Sequence, residues 1–344
     1  MYSSYYSLTA AMLKDFFESR GTPLKVERGE RVFPKSDKSS DIIKTLEREL
    51  KKRKVAIHLN TTVESIEREK DGYALRTNRN TFRGDKVIVA TGGMTYRLTG
   101  STGDGYGFAE DFGMGVVRPV AGLVGVRLNE NYLEELSGLS LKNVALTATT
   151  KEGSFFDFGE MLFTHFGISG PIVLSLSSKI NRSKDVDLFL DLKPALTEEV
   201  LEKRILREVK DNSNRAMHNL MKRLLPKSLI APVLDQAQVP QDLPAHQLSA
   251  VMRQRLIESL KKFRLHYAGL FNENTGIITT GGVDVKDVDP STMESKKAEG
   301  LYFCGEVLDV DGPTGGFNLQ IAFSTGYLAG MCSGEEELNE NHRH

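Results

Sequence analysis

The sequence contains no tryptophan, only two cysteines and almost no net charge over its 344 residues. Cys304 and Cys332 are too few for the disulfide framework of a small secreted domain, which favours a reducing compartment. A net charge of −1 provides no overall field to attract nucleic acid or an anionic membrane. The chain has no apolar run near the about 20 residues that span a bilayer, and its first residues lack signal-peptide features. We therefore expect a cytoplasmic protein without a membrane or nucleic-acid partner.

Several motifs that would indicate other classes of enzyme are also missing from the sequence. HExxH and CxxC spacings do not occur, so we expect no metal site. No GxSxG elbow of a serine hydrolase is present, and no P-loop, because no glycine-rich stretch leads into GKS or GKT. Cys304 has no CxxC partner and is interpreted as a small core residue.

Helix and strand signals alternate in the first part of the chain. Thr9 to Arg20 predicts a capped helix, and an exposed loop then leads to a second helix at about 39–52. The apolar run 55–59 is typical of a buried parallel strand. Asp71-Gly72 predicts a hairpin, and residues 85–93 predict an apolar strand that ends in a glycine turn.

These signals change near Pro119 and return near residue 275, which predicts two domains and an α/β (overall α+β) protein. The first domain would comprise residues 1–118 and 275–334, and the second would be inserted at 119–274. Within the insertion, we expect antiparallel β-structure at 119–196 and 263–274, and a helical part at 197–262. The basic residues of its helices are interpreted as solvated faces, because acidic residues are interleaved in the first of them. Residues 335–344 read as a polar tail.

Four glycine-rich turns carry the strongest functional signal. They are Ala90–Gly93, Ser101–Gly113, Thr279–Gly282 and Asp311–Gly316. Each follows a predicted strand or precedes a predicted helix, where α/β proteins bind nucleotides and cofactors. For the first two turns, a purely structural role is about equally compatible with the residues. A helix predicted from Phe317 would direct its positive N-terminal end toward an anionic or electron-rich ligand.

His165 lies between two aromatic neighbours in the segment LFTHFGISGP. It could exchange a proton with a substrate, but we favour a partly buried structural histidine. His165 is therefore only a weak catalytic candidate, and the residues identify no other acid or base.

Taken in order, four segments resemble the aminoacetone-oxidase-like family of bacterial FAD-binding enzymes, described as NAD(P)/FAD-dependent oxidoreductases. They are RVFPKSDKSSDII, VIVATGGMTYRLTGSTGDGY, GEMLFTHFGISGP and the long block from TTGGVDV to GYLAG. The resemblance covers nearly the whole chain and is weakest over 197–262.

The resemblance implies a Rossmann-like FAD domain interrupted by a β-barrel-like domain with a helical subdomain. It implies FAD as cofactor, NAD(P)H as a candidate electron donor and a small-molecule substrate. THFGISGP would cover the other side of the flavin pocket. The residues expected to bind the cofactor are Val63, Ala90, Thr91, Gly92, Gly93, Thr102, Gly103, Gly305, Glu306, Asp309, Gly315, Gly316, Phe317, Asn318 and Leu319.

The sequence departs from this family at its start. Members begin with a strand, a GxGxxG turn and a helix, whereas this chain opens on YSSYYSL. We therefore expect an N-terminal truncation that removes a βαβ unit of at least about 30 residues.

Three functions follow from these expectations. The leading one is an FAD-dependent oxidoreductase, and the alternative is a truncated, non-catalytic member unable to bind FAD on its own. A flavoprotein acting on RNA would require a contiguous basic face, and the near-zero net charge argues against it. The substrate and the oligomeric state stay open.

Overall fold

A computed structural model of the chain describes residues 2–272 and 275–340, with side chains through residue 334. The helices are α1 (Tyr2–Ser7), α2 (Ala10–Glu18), α3 (Ser39–Lys52), α4 (Asp104–Asp111), α5 (Leu133–Leu136), α6 (Pro171–Ile180), α7 (Glu198–Asp211), α8 (Met217–Met221), α9 (Lys227–Gln236), α10 (Ala250–Lys261) and α11 (Phe317–Glu340). The strands are β1 (Leu24–Glu27), β2 (Arg31–Pro34), β3 (Val63–Glu69), β4 (Gly72–Thr77), β5 (Thr81–Gly84), β6 (Val87–Val89), β7 (Val116–Gly122), β8 (Val126–Leu128), β9 (Ser140–Thr150), β10 (Gly153–Thr164), β11 (Gly167–Ser169), β12 (Asp187–Asp191), β13 (Phe263–Leu270), β14 (Ile278–Val283) and β15 (Leu301–Phe303).

The chain divides into two compact units. Unit 1 comprises Met1–Val120 and Ile278–His344, and unit 2 comprises Ala121–Ile277. The predicted tail at 335–344 lies outside the described residues from position 341 onward, and α11 extends through residue 340. No helix in the described part of the chain is both long and apolar enough to cross a membrane.

The centre of unit 1 is the parallel pair β6–β15. Leu301 pairs with Val87 and Phe303 with Val89, and all four side chains are buried. The amide of Cys304 then donates to the carbonyl of Val89 over 3.1 Å. Because the strands are parallel and in register, both end at the same edge of the sheet. The segments that follow β6 and β15 are thereby brought side by side.

The first residues of unit 1 follow most of the sequence predictions. Thr9 caps α2 by accepting a hydrogen bond from the amide of Met12, and α3 has the predicted bounds. The hairpin predicted at Asp71-Gly72 is confirmed as β3–β4. The exposed loop predicted before α3 is partly wrong, because Arg31–Pro34 forms β2 and pairs with β1.

The strand predicted at 55–59 does not form. These residues have no regular structure, and Val55, Ile57 and Leu59 are exposed, Leu59 by 74%. A buried parallel strand requires neighbours that accept and donate along its edges. In the described residues, β6 and β15 form a sheet of only two strands, so the apolar run 55–59 pairs with neither.

Unit 2 contains a closed six-stranded barrel in the order β10-β11-β8-β13-β12-β9, which confirms the predicted β-barrel-like part. Its interior is filled by side chains that alternate along the strands, including Leu146, Phe163 and Leu188, all fully buried. Helices α7 to α10 share the same apolar core through Leu201, Ile230 and similar residues. The helical and barrel parts of unit 2 therefore stabilise one another.

Candidate functional site

The candidate site is the edge of unit 1 where β6 and β15 end. Ala90–Gly93 follows β6, and a short 3₁₀ turn at Gly305–Val307 follows β15. Gly305 has φ +80°, a conformation that favours glycine, and its amide donates to the hydroxyl of Thr325 in α11 over 2.9 Å. This bond attaches α11 to the end of β15.

Thr279 connects the segments at this edge. Its hydroxyl oxygen accepts hydrogen bonds from the amides of Met94 at 2.8 Å and Thr95 at 3.3 Å. Its own amide donates to Oε1 of Glu306 over 2.8 Å. Thr279 is only 1% exposed, so these bonds are shielded from water. One side chain and one amide thus hold together the β6 turn, β14 and the β15 turn.

The space around Gly93 explains why glycine is needed in the β6 turn. A Cβ atom at Gly93 would collide with the Thr279 hydroxyl and would lie 2.5 Å from Oε1 of Glu306. The third glycine-rich motif, Thr279–Gly282, was predicted to follow a strand and instead lies inside β14, so the prediction of its position was wrong. The hydroxyl of Thr279, which the sequence analysis did not single out, makes the contact.

Helix α4 packs against the same edge. It starts after Gly103, which has φ +90°, and the preceding Thr102 amide donates to the carbonyl of Gly100 over 3.0 Å. A Cβ on Gly105 would meet Thr91 and Val307, so α4 approaches both turns closely. Burial, and secondarily the nearby Glu306 carboxylate, raises the pKa of Tyr106 to about 12. The Tyr106 phenol is therefore neutral at physiological pH.

The start of α11 presents a different surface. The side chain of Asn318 forms two hydrogen bonds with the backbone of Gly312, each 2.9 Å, and so fixes the loop before the helix. Phe317 and Leu319 are exposed by 56% and 67%. No acceptor among the described residues takes the amide protons of Phe317, Asn318 or Leu319. This end of a 24-residue helix offers apolar side chains beside free donors and a positive dipole.

These residues fit a flavin. The hydroxyl of Thr91 is buried, has no hydrogen-bond partner among the described residues and faces Gly105 of α4. Gly315 and Gly316 have φ +122° and +95°, and a Cβ on Gly316 would meet no atom within 4 Å, so the backbone there is open to a ligand. Oε1 of Glu306 already accepts a hydrogen bond from the amide of Thr279, and the amide of Asp309 donates to the carbonyl of Val283 over 2.9 Å.

Two predicted residues belong to other elements, Val63 to another sheet of unit 1 and His165 to unit 2. Val63 begins β3 and pairs with Thr77 in the antiparallel sheet β3-β4-β5. His165 lies in unit 2, in the turn between β10 and β11, with its ring edge-on to Phe166 at 5.3 Å. His165 is exposed, so the interpretation as a partly buried histidine was wrong. Its predicted role with a substrate stays a prediction, as does the cofactor contact of Val63.

Removing the Thr279 hydroxyl should loosen this junction. In a Thr279→Val variant, the buried amides of Met94 and Thr95 lose their acceptor, which we expect to lower the free energy of unfolding by about 1–3 kcal/mol. Thr279→Ser keeps the hydroxyl and serves as the matched control. Thermal unfolding and hydrogen exchange at the two amides measure the effect. Unchanged exchange in Thr279→Val would show that the junction does not depend on this hydroxyl.

Comparisons with known proteins place these features in a wider group. The chain is 30% identical over 325 residues to a 3-dehydro-bile acid delta(4,6)-reductase of Clostridium scindens, covering 93% of this chain and 79% of that protein. It is 34% identical over 291 residues to a ribosomal RNA dihydrouridine synthase of Escherichia coli, covering 85% of this chain and 71% of that protein. The protein of the same name from Haemophilus influenzae is 34% identical over 299 residues, 85% of this chain and 72% of that protein.

The expectation that nucleic acid is not a partner is contradicted by these relatives. Two of them carry names that specify ribosomal RNA. The inference from a net charge of −1 failed because net charge is a sum over the whole surface, which does not exclude a local basic region. Residues 51–54, for example, are four consecutive basic residues.

The relatives are named as a reductase and as synthases of a reduced nucleoside, which supports an enzyme family of the oxidoreductase type. A family model described as the HI0933-like protein Rossmann domain matches residues 1–332. The match covers the parallel strands, the glycine turns and most of α11 in unit 1, and all of unit 2. The chain belongs to the HI0933-like family of Rossmann-domain proteins.

Proposed function

We propose that this protein is a flavin-dependent reductase that adds hydrogen across a carbon–carbon double bond of a uridine in RNA. The observation that carries the reductase part is the junction at the ends of β6 and β15, where Thr279 holds two turns together and Thr325 attaches α11 to the second of them. Such an edge is where open α/β sheets bind nucleotide cofactors.

The substrate class rests on the relatives. As named, one relative reduces the delta(4,6) bonds of a 3-dehydro bile acid, and two others form dihydrouridine in ribosomal RNA. Both activities saturate a carbon–carbon double bond, so one type of cofactor chemistry serves both. Two of the three relatives compared are named for ribosomal RNA, and we therefore propose RNA as the substrate.

FAD is the proposed cofactor, and when bound it would supply the hydride for this reduction. Phe317 and Leu319 would contribute apolar contact to its ring system. The free amides at the start of α11 and the positive end of that helix would favour negative charge at the ring edge. Thr91, Gly92 and the backbone at Gly316 would complete the contacts on the protein side.

The proposed reduction also requires a source of protons and an electron donor. Saturating a double bond adds a proton as well as a hydride, and His165 is the one side chain that the sequence analysis proposed as an acid. NADH and NADPH are the proposed donors. The narrower resemblance to aminoacetone-oxidase-like enzymes stays a prediction, as does the alternative that these residues form a non-catalytic member of the family.

The cofactor proposal predicts a specific sensitivity to Gly316. Gly316→Ala places a side chain at φ +95°, which strains the backbone by about 1–2 kcal/mol, and puts a methyl group where the flavin would approach. We expect the Kd for FAD, measured by quenching of flavin fluorescence, to rise about tenfold.

Gly330→Ala is the matched control for this experiment. Gly330 also lies in α11, has no positive φ, and a Cβ there would meet no atom within 4 Å. Alanine is favoured over glycine in a helix, so this variant should bind FAD as the wild type does. Equal FAD affinity of all three proteins, or no FAD binding by any of them, would contradict the proposed cofactor site.

The substrate proposal is tested directly by competing substrates. The protein is incubated without oxygen with FAD and, in separate reactions, NADH, NADPH or dithionite as reductant. Unmodified ribosomal RNA transcribed in vitro and a 3-oxo-4,6-diene steroid are the two substrates. We expect nucleoside mass spectrometry to find dihydrouridine in the RNA. Reduction of the steroid with no change in the RNA would contradict the proposal and favour a bile-acid-type substrate.

A further inference from the structure

A cleft lies in the N-terminal part of unit 1, and none of the glycine-turn residues line it. Its cavity volume is about 420 Å³. The walls come from the turn after α2, the turn after β2, and α3. The polar side chains that define it are Thr22, Lys35, Ser36, Lys44, Thr45 and Arg48. Thr22 and Thr45 are buried and hydrogen-bonded to each other through their hydroxyls, so they form a fixed polar floor.

The cleft carries an excess of positive charge. Three cations line it, Lys35, Lys44 and Arg48, against one carboxylate, Asp41. Asp41 already accepts a hydrogen bond of 2.6 Å from Ser36, and Lys44 is 3.8 Å from it. Lys35 has no ion pair or side-chain hydrogen bond with any described residue. Arg48 donates only to neutral oxygens, those of Arg20 and Thr45. Lys35 and Arg48 therefore have no carboxylate partner among the described residues, whereas Lys44 pairs with Asp41, and the cleft keeps a positive net charge.

The positive charge continues along α3 beyond the cleft. On α3, Lys44 is followed after four, seven and eight positions by Arg48, Lys51 and Lys52, which places all of them on one face of the helix. Successive turns separate them by about 6 Å along the axis. Residues 51–54 are exposed and form no ion pair with the described residues. We call Lys35, Lys44, Arg48, Lys51 and Lys52 the basic stripe.

Neighbouring surfaces of unit 1 differ from the basic stripe. In the β3-β4-β5 sheet, Arg76 pairs with Glu67 at 2.6 Å and Arg83 with Glu69 at 2.9 Å. On α3 itself, Glu49 points to Arg20, with 3.2 Å between carboxylate and guanidinium. Glu47 is exposed and lies three residues after Lys44 and four before Lys51, on the same face of α3. Cations nevertheless outnumber carboxylates along this line, five against Asp41 and Glu47, and the line starts in a preformed cleft.

We propose that the basic stripe binds successive phosphate groups of an RNA strand, with the first phosphate in the cleft. This inference rests on the proposed function, because it assigns the surface that holds the RNA substrate. Lysine ammonium groups act as mobile point charges for phosphate oxygens, and the cleft adds the guanidinium of Arg48. Contacts of this kind position RNA without reading its sequence.

The test uses the full chain with four lysines of the basic stripe changed to glutamine: Lys35→Gln, Lys44→Gln, Lys51→Gln and Lys52→Gln. Arg48 is left intact because it also bonds Arg20 and Thr45. The control changes four exposed lysines of unit 2 in the same way, Lys203, Lys210, Lys222 and Lys227. Binding of a fluorescein-labelled single-stranded RNA is measured by anisotropy over a series of salt concentrations, and thermal melting confirms that both variants fold.

We expect the stripe variant to bind RNA about tenfold more weakly than the control at low salt. Each phosphate contact contributes about 0.7 to the slope of log affinity against log salt, so that slope should fall by about 2–3. If the wild type binds RNA and both variants bind equally with equal slopes, the stripe assignment is overturned while the proposed function stands. If the wild type does not bind RNA, both are overturned.

Inorganic phosphate separates an RNA site from a site for a small anion. Its effect on thermal unfolding is measured for the wild type and both variants. Stabilisation by phosphate that is lost in the stripe variant, together with reduced RNA binding, supports the proposal. The same loss with unchanged RNA binding would make the cleft a site for free phosphate and overturn the assignment to RNA.

Discussion

The structure of unit 1 depends on the hydrogen bonds of one buried threonine. Thr279 lies 185 positions from Met94, whose amide donates to its hydroxyl, and 27 positions from Glu306, which accepts from its amide. Only the fold brings them together, and only the absence of a side chain at Gly93 makes room for the contact. The bonds fix two turns at one sheet edge, and Thr325 adds α11 to the same edge. The proposed cofactor surface would therefore be held in place before a ligand binds.

Local patterns in the sequence predicted local structure well. The cap at Thr9, the bounds of α3, the hairpin at Gly72 and the start of α11 each depend on a few neighbouring residues. The strand predicted at 55–59 failed because a strand exists only with a partner, and partners are set by residues distant in the chain. The strand-like runs at 119–196 predicted antiparallel β-structure, whereas the closed barrel was implied only by the family resemblance.

The candidate site was predictable in part for the same reason. Glycines in turns at strand ends are visible in sequence, and two of the four predicted turns, Ala90–Gly93 and Ser101–Gly113, lie at one edge. The role of the Thr279 hydroxyl was not visible, because nothing in TTGG shows which distant amides it accepts. The error about nucleic acid has another physical origin. Net charge is a sum over the whole surface, so it combines neutral ion pairs such as Glu67–Arg76 with local groups of cations such as the basic stripe.

The central claim is that flavin binds where β6, β15 and α11 meet, and amide hydrogen exchange with and without FAD tests it most directly. We predict that FAD slows exchange at Gly92–Thr95, at Gly305–Asp309 and at the first amides of α11, while the interior barrel strand β9 exchanges as before. Slowed exchange confined to other segments, or none at saturating FAD, would contradict the account.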